Sequence, residues 1–145
     1  MRAVAFAFPT AAAIALAALL LQPGSARASS LYDDLGAKPG VTKLVAEATA
    51  IFTSDPRIAP IFEESNMDRI REKLAEQICS LADGGCTYTG HEMRASHRGL
   101  HLQTRDFNAM VEDLQQAMDH LSIPFPTQNR LLARLAPLYR DVVSR

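Results

Sequence analysis

The stretch that points to a candidate site runs from Tyr88 to Leu102 and reads YTGHEMRASHRGLHL. It holds three of the four histidines of a chain that contains no tryptophan, and His97 stands at its centre. Histidine is the commonest metal ligand and a frequent acid–base group when it lies in a pocket. What His97 can do therefore depends on whether the flanking sequence builds a pocket around it.

The sequence on both sides of this stretch carries helical periodicity. Apolar residues recur at steps of three and four, which predicts helices over residues 41–53, 66–82, 104–121 and 127–142. Ser65 or Asn66, Thr104 and Thr127 are expected to cap three of them, and Pro137 is expected to kink the last or to remove one of its hydrogen bonds. Alternating runs of β-branched residues are nearly absent. The periodicity therefore predicts a small all-α domain, and by itself it indicates no function.

The first 28 residues have the layout of a secretory signal peptide. Arg2 precedes an apolar run over residues 3–21, and the triplet Ala26-Arg27-Ala28 resembles a cleavage site. An uncleaved membrane anchor is the alternative, since the run nearly suffices to span a bilayer. Pro9 and the small-residue triplet favour cleavage. We therefore expect residues 1–28 to be removed and residues 29–145 to form one exported domain, periplasmic or secreted, with no stable membrane association.

The charge of the expected mature chain excludes one class of partner. Loss of Arg2 and Arg27 leaves 13 basic and 16 acidic residues among 117, a net charge of −3. Nucleic-acid-binding domains carry a clustered basic surface, so no nucleic-acid partner is expected.

Two cysteines, Cys79 and Cys86, remain after the signal segment. Exported proteins meet an oxidising compartment in which such pairs commonly close, and Gly84-Gly85 supplies a turn between them. We expect a disulfide; the alternative is a buried thiol at Cys79 and an exposed one at Cys86. A Cys-x-x-Cys-His motif does not occur, so covalent c-type haem attachment is not indicated.

The histidines also admit a zinc site. His97 and His101 share a face if their stretch is helical, and His91 lies nearby. Gly99 interrupts that helix, however, and no neighbouring cysteine or carboxylate clearly completes a tetrahedral set. Zinc is therefore disfavoured.

At this point the residues resemble the truncated haemoglobins, group I in particular. The resemblance rests on the order Tyr88-Thr89-Gly90-x-x-Met93-Arg94-x-x-His97-x-x-Leu100, followed by Phe107 in a capped helix. It extends over nearly the whole mature chain, from Leu31-Tyr32 to a last helix with an internal Pro137. Each piece is weak alone, but the order and spacing together are specific.

The resemblance implies a two-over-two α-helical sandwich around haem b, with His97 as the proximal iron ligand. The helices over 41–53 and 66–82 would pair, as would those over 104–121 and 127–142. The second ring nitrogen of His97 should donate to a nearby backbone carbonyl or water and so fix the tautomer. The implied activity is reversible binding of oxygen, nitric oxide or carbon monoxide, by a gas-binding protein rather than a dedicated enzyme.

The same resemblance assigns residues to the haem pocket. Phe62 would pack flat on the porphyrin, and its apolar edges would meet Ile70, Leu74, Ile78, Met93, Leu100 and Phe107. Arg94 and Arg69 are candidates for charge-assisted contacts to the propionates. A role as solvated surface arginines is about equally expected for these two.

The distal side departs from the family pattern. Many group I members place a tyrosine donor where this chain has Thr49, and two further positions that are often polar fall on Ile70 and Leu74. The distal pocket formed by Thr49, Ile70 and Leu74 is therefore expected to be mostly apolar, with Thr49 as its only obvious small donor. Oxygen should therefore bind weakly or leave quickly. Lys73 adds a complication, because some relatives place a sixth iron ligand there; the alternative is a solvated lysine beside Glu72 and Glu76.

Three other functions stay open on the sequence. One is a redox enzyme of the nitric oxide dioxygenase or peroxidase-like kind. Another is a b-type electron carrier with Lys73 as sixth ligand and a redox partner. The third is a haem-free helical interaction module.

Overall fold

The computed structural model describes residues 29–143, and the regular structure there is helical throughout. The predicted signal segment lies outside the described residues. The seven α-helices of the described part are α1 Leu31–Asp34, α2 Ala37–Ser54, α3 Met67–Leu81, α4 Met93–Ser96, α5 Thr104–His120, α6 Phe125–Leu135 and α7 Tyr139–Val142. Two 3-10 segments, Ala59–Phe62 and Ala136–Leu138, complete them.

Helix α2 begins four residues before the predicted start. Gly36 takes φ +85° at its N-cap, a left-handed conformation that glycine adopts without strain. Pro39 then lies in the first turn, where backbone N–H groups have no intrahelical partner and a missing donor costs little. Gly40 is required by space, because a Cβ there would stand 1.9 Å from the Leu35 carbonyl oxygen. The pair Pro39-Gly40 therefore belongs to the helix and does not precede it.

The predicted N-cap residue is correct for α3 and wrong for α5. The Asn66 side chain accepts from the backbone N–H of Arg69 at 3.0 Å, which confirms Asn66 as the cap of α3. At α5 the N-cap residue is Gln103 and not Thr104, and the Gln103 backbone N–H donates to the Asp106 carboxylate at 2.8 Å.

The predicted last helix is divided. Helix α6 starts at Phe125 rather than after Thr127, with Pro126 in its first turn. Pro137 then ends regular α-helix at Leu135 and produces the 3-10 segment before α7, as the loss of a backbone donor predicts.

Helix α2 is the centre of the packing. It contacts α3, the expected partner, and it also packs against α5, while α5 contacts α6. The core is apolar and nearly solvent-free, and it comprises Leu31, Leu35, Val41, Leu44, Val45, Ala48, Phe52, Ile58, Ile78, Ala82, Ala109, Leu114, Ala117, Met118 and Leu131. None of the helices between residues 29 and 143 is long and apolar enough to cross a membrane.

Cys79 and Cys86 form a disulfide, which confirms the predicted pairing. The turn between them requires glycine: a Cβ on Gly84 would stand 2.7 Å from both the Cys79 sulfur and the Tyr32 ring. Cys79 is buried at the end of α3 and Cys86 is exposed. The bridge therefore ties the loop after α3 back onto that helix.

Candidate functional site

A largely apolar cleft of about 410 Å³ lies between α3, the His97 stretch, α5 and the end of the chain. Its volume falls within the range of roughly 300–1,000 Å³ usual for ligand and cofactor pockets. Ten residues that the sequence assigned to the candidate haem site line it together: Phe62, Arg69, Ile70, Lys73, Leu74, Ile78, Met93, His97, Leu100 and Phe107.

His97 ends the short helix α4 and is half-buried in the cleft wall. Its Nδ1 lies 2.7 Å from the Met93 carbonyl oxygen. Because a carbonyl oxygen only accepts, Nδ1 carries the proton and Nε2 of the neutral ring keeps its lone pair. The predicted bond from this histidine to a backbone carbonyl is therefore confirmed, and the ring is oriented as metal-ligating histidines usually are.

Sequence reasoning missed part of the lining. Helix α5 contributes Met110, Val111 and Leu114 besides Phe107, and the end of the chain contributes Leu135, Leu138 and Val142. Their helical stripes predict apolar faces but do not say whether such a face meets another helix or the cleft. The loop before α4 adds Tyr88, Gly90 and His91, which no periodicity could indicate.

Phe62 is held in the cleft by its neighbours. Its ring stacks on that of Phe52, with centroids 5.9 Å apart and planes 11° from parallel. The preceding segment is fixed through Arg57, which pairs with Asp55 at 2.7 Å and with Glu112 of α5 at 2.5 Å. The Phe62 ring is therefore oriented by the protein itself.

A buried carboxyl group lies beneath this segment. The Asp113 side chain is 4% exposed, its Oδ1 is 3.5 Å from the Arg57 guanidinium, and its Oδ2 has no hydrogen-bond partner among residues 29–143. Burial, with the Asp55 carboxylate adding to it, raises the pKa of Asp113 to about 6. Asp113 is thus a titratable group at the contact between α5 and the segment that leads to Phe62.

On the α3 side of the cleft, the structure departs from the prediction for Thr49. Ile70, Leu74 and Ile78 line the cleft from α3 and carry no polar side-chain atom. Thr49 is fully buried on α2, but its hydroxyl donates to the Val45 carbonyl at 2.8 Å and accepts from Arg71 Nε at 3.1 Å. It does not line the cleft, so its expected place as the pocket's donor is wrong.

Lys73 lines the cleft but is engaged elsewhere. Its Nζ donates to Glu72 at 2.9 Å, to Glu76 at 2.9 Å and to the Thr89 hydroxyl at 2.7 Å. An ammonium has three donors, and all three are used. The hydrogen bonds to Glu76 and, to a lesser extent, to Glu72 raise the pKa of Lys73.

The two arginines predicted as partners of the propionates lie in different places. Arg69 lines the cleft. Arg94 does not: its guanidinium donates to Asp141 at 2.8 Å on the outer surface, which contradicts its assignment to the pocket.

The other histidines do not assemble a zinc site. Among residues 29–143 no three His, Cys, Asp or Glu side chains group closely enough to hold a metal ion. His91 lines the cleft, whereas His101 is exposed in a left-handed turn with φ +50°.

The chain matches a known protein family. Residues 30–144 match the model of the family described as bacterial-like globin. The Group 1 truncated hemoglobin GlbN of Nostoc sp. (strain MUN 8820) is 33% identical over 90 residues, which is 62% of this chain and 76% of the relative. The GlbN of Mycolicibacterium paratuberculosis is 24% identical over 119 residues, 82% of this chain and 88% of the relative.

Solved structures show the same fold. The truncated hemoglobin of Tetrahymena pyriformis in its Fe(III) form superimposes with a TM-score of 0.78 at 21% identity, over 81% of this chain and 100% of the other. The 2/2 hemoglobin of Synechococcus sp. PCC 7002 gives 0.76 at 21% identity, again over 81% and 100%.

The described helices therefore form a two-over-two globin fold. The chain belongs to the bacterial-like globin family, as a truncated haemoglobin homologous to the group 1 members.

Proposed function

We propose that the protein binds haem b through His97 and reversibly takes up a small diatomic gas, oxygen, nitric oxide or carbon monoxide. The main support is the position of the His97 ring, which is half-buried in an apolar cleft with Nδ1 hydrogen-bonded to the Met93 carbonyl at 2.7 Å. That bond leaves Nε2 as a lone-pair donor of the kind that globins use for haem iron.

The residues present fit the cofactor. The lining is mostly apolar, as a porphyrin requires, and the Phe62 ring is already held flat against Phe52. Arg69 lines the cleft as a cation suited to a propionate carboxylate. When bound, haem supplies an iron with an open coordination position for a gas.

The chain's own residues favour fast release of oxygen. Ile70, Leu74 and Ile78 line the α3 side of the cleft with apolar side chains that offer no donor. The Gln77 amide of the same helix is engaged by the Met93 sulfur at 3.1 Å. The Thr49 hydroxyl is committed to the Val45 carbonyl. Carbon monoxide and nitric oxide depend less on a donor, so the pocket suits them at least as well as oxygen.

The geometry favours gas binding over a b-type electron carrier. For Lys73 to become a sixth ligand, its Nζ would have to give up hydrogen bonds to Glu72, Glu76 and Thr89. We therefore assign Lys73 to this network and not to the iron that His97 would hold.

Absorption spectra of the purified protein test the proposal. We expect a Soret band, a ferrous spectrum that shifts when carbon monoxide or nitric oxide is added, and no change with Lys73→Ala. His97→Ala should lose or displace the band, while His101→Ala serves as the matched control in the same stretch. A protein without a Soret band after reconstitution with haem would overturn the proposal.

We further propose that residues 1–28 are a signal peptide and that the mature globin is exported. The apolar run with its Ala26-Arg27-Ala28 site supports this, and the family match begins at residue 30. Expression of the full chain in a bacterium, followed by mass measurement of the periplasmic product, should give a chain that starts at Ser29. A full-length product retained with the cells would contradict it.

A further inference from the structure

Two attachments join α3 to the loop of residues 85–92, which leads directly into α4. The first is the Cys79–Cys86 disulfide. The second is Glu76, whose Oε2 accepts from the Thr89 backbone N–H at 2.9 Å and from the Thr89 hydroxyl at 2.8 Å. Residues three apart on a helix share a face, so Glu76 and Cys79 hold the loop along one side of α3.

The Glu76 carboxylate is fully engaged. Its other oxygen, Oε1, accepts from Lys73 Nζ at 2.9 Å, and the same Nζ donates to the Thr89 hydroxyl. Thr89 therefore donates to Glu76 and accepts from Lys73, which closes a ring of hydrogen bonds between helix and loop. Charged partners make such bonds stronger than neutral ones.

The held loop shapes the candidate haem site. Tyr88, Gly90 and His91 form part of the cleft wall. Helix α4 and His97 follow in the segment 93–101, none of whose side chains is fully buried. A segment with so little burial of its own depends for its position on its flanks and on the exposed Arg94–Asp141 ion pair to α7, and Thr89 lies eight residues before His97.

We propose that Glu76 is a positioning residue for His97, which it acts on through Thr89, and that the Cys79–Cys86 bridge duplicates this attachment one turn further along α3. The proposal rests on the proposed role of His97 as haem ligand. It gives a function to a carboxylate that would otherwise serve only as the ion-pair partner of Lys73.

Glu72 offers a matched control. It binds the same Lys73 Nζ at the same 2.9 Å, it lies on the same helix, and its side chain is 63% exposed. Glu72→Gln therefore removes a carboxylate charge beside Lys73 without touching the bonds to Thr89.

The test compares Glu76→Gln with Glu72→Gln in the haem-loaded protein, with the disulfide intact and in a Cys79→Ala/Cys86→Ala background. The readouts are the rate of haem loss to an excess of an apoglobin acceptor and the ferrous iron–histidine stretching frequency. With the bridge intact, Glu76→Gln should speed haem loss about two- to threefold. Without the bridge, the same substitution should speed haem loss at least about tenfold, because the effects of two attachments that hold one loop are not additive. Glu72→Gln should stay within about twofold in both backgrounds.

Two outcomes would overturn the proposal. In one, Glu76→Gln behaves like Glu72→Gln in both backgrounds. In the other, Lys73→Ala abolishes the effect of Glu76→Gln, which would assign the effect to the lysine and not to the loop. If Glu76→Gln does not fold, Thr89→Val removes the hydroxyl bonds to Glu76 and Lys73 with little change in shape, while Thr89→Ser keeps a hydroxyl and should behave like wild type.

A cofactor-free measurement separates this proposal from the proposed function. Hydrogen exchange at the Thr89 amide in the apoprotein should quicken in Glu76→Gln and not in Glu72→Gln. Failure of the wild type to bind haem would overturn the function while leaving this result intact. Unchanged exchange in a protein that binds haem normally would overturn the positioning role alone.

Discussion

The Nδ1 atom of His97 donates to the carbonyl oxygen of Met93, four residues earlier, across 2.7 Å. Met93 also faces the cleft, so one residue both lines the cleft and orients the imidazole. Because the acceptor is a backbone atom, no side-chain substitution removes it while the helical turn persists.

This bond predicts how an exogenous ligand rescues His97→Gly. Imidazole can coordinate iron and still donate its second N–H to the Met93 carbonyl, whereas 1-methylimidazole can only coordinate. One hydrogen bond contributes about 0.5–1.5 kcal/mol, so imidazole should restore the spectrum at a concentration roughly two- to tenfold lower. Titrations followed at the Soret band measure both affinities. Equal affinities would show that the bond does not orient the ligand.

A donor introduced on the α3 side should slow oxygen release. Leu74→Gln places an amide in the cleft, and a hydrogen bond to a polarised ligand is worth about 1.5–3 kcal/mol, or roughly ten- to a hundredfold in rate. Stopped-flow dissociation of oxygen is the measurement, and carbon monoxide dissociation should change far less.

Thr49→Val is the control for that series. Valine keeps the shape of a fully buried side chain, and the lost hydroxyl serves Val45 and Arg71 rather than the cleft. Oxygen release should therefore change by less than about threefold, given the cost of an ordinary hydrogen bond outside the pocket. A tenfold acceleration would instead place the Thr49 hydroxyl at the gas.

Removal of the disulfide should lower stability without unfolding the protein. Closing a loop of about eight residues restricts the unfolded chain by roughly 2–3 kcal/mol on the chain-entropy relation. Urea unfolding of Cys79→Ala/Cys86→Ala, compared with wild type, measures the difference. The same loss should follow treatment of wild type with a dithiol reductant, and a stability unchanged by either would contradict the estimate.

Asp113 should make the protein less stable as pH rises from about 4 to about 6. Its pKa is raised to about 6 in the fold, so the folded chain binds more protons than the unfolded chain in that window and stability falls with increasing pH. The groups that face it are Asp55, Arg57 and Glu112. The free energy of unfolding of Asp113→Asn should therefore exceed that of wild type by about 1–3 kcal/mol at pH 7.5 and by little at pH 4.

Urea unfolding of both proteins at the two pH values checks this difference. Glu112→Gln is the control, because Glu112 shares Arg57 but its side chain is 59% exposed. An equal gain for Asp113→Asn at both pH values would mean that the carboxyl does not titrate with folding.

Sequence reasoning predicted the helices and the place of His97 beside an apolar pocket, but not the directions of several side chains. The α3 stripe placed Ile70, Leu74 and Ile78 in the cleft because helical spacing fixes which residues share a face. Thr49 was placed on the correct helix, yet its hydroxyl bonds a carbonyl one turn back, a local competition that spacing does not show. Arg94 was misassigned because its partner, Asp141, lies 47 residues away in the chain.

Helix starts were missed for a related reason. Prolines at 39 and 126 indicate breaks when the sequence is read locally, but in a first turn they remove donors that have no partner. The loop from Cys86 to Glu92 has no periodicity, so its place beside the cleft depends on contacts with α3 that appear only in three dimensions.

The distribution of burial has a consequence for the order of assembly. The solvent-free core is built by α1, α2, α3, α5 and α6, while residues 93–101 contribute no buried side chain to it. The buried core therefore forms through contacts that do not involve the segment carrying His97. We therefore expect the apoprotein to hold its helical core before any prosthetic group is bound.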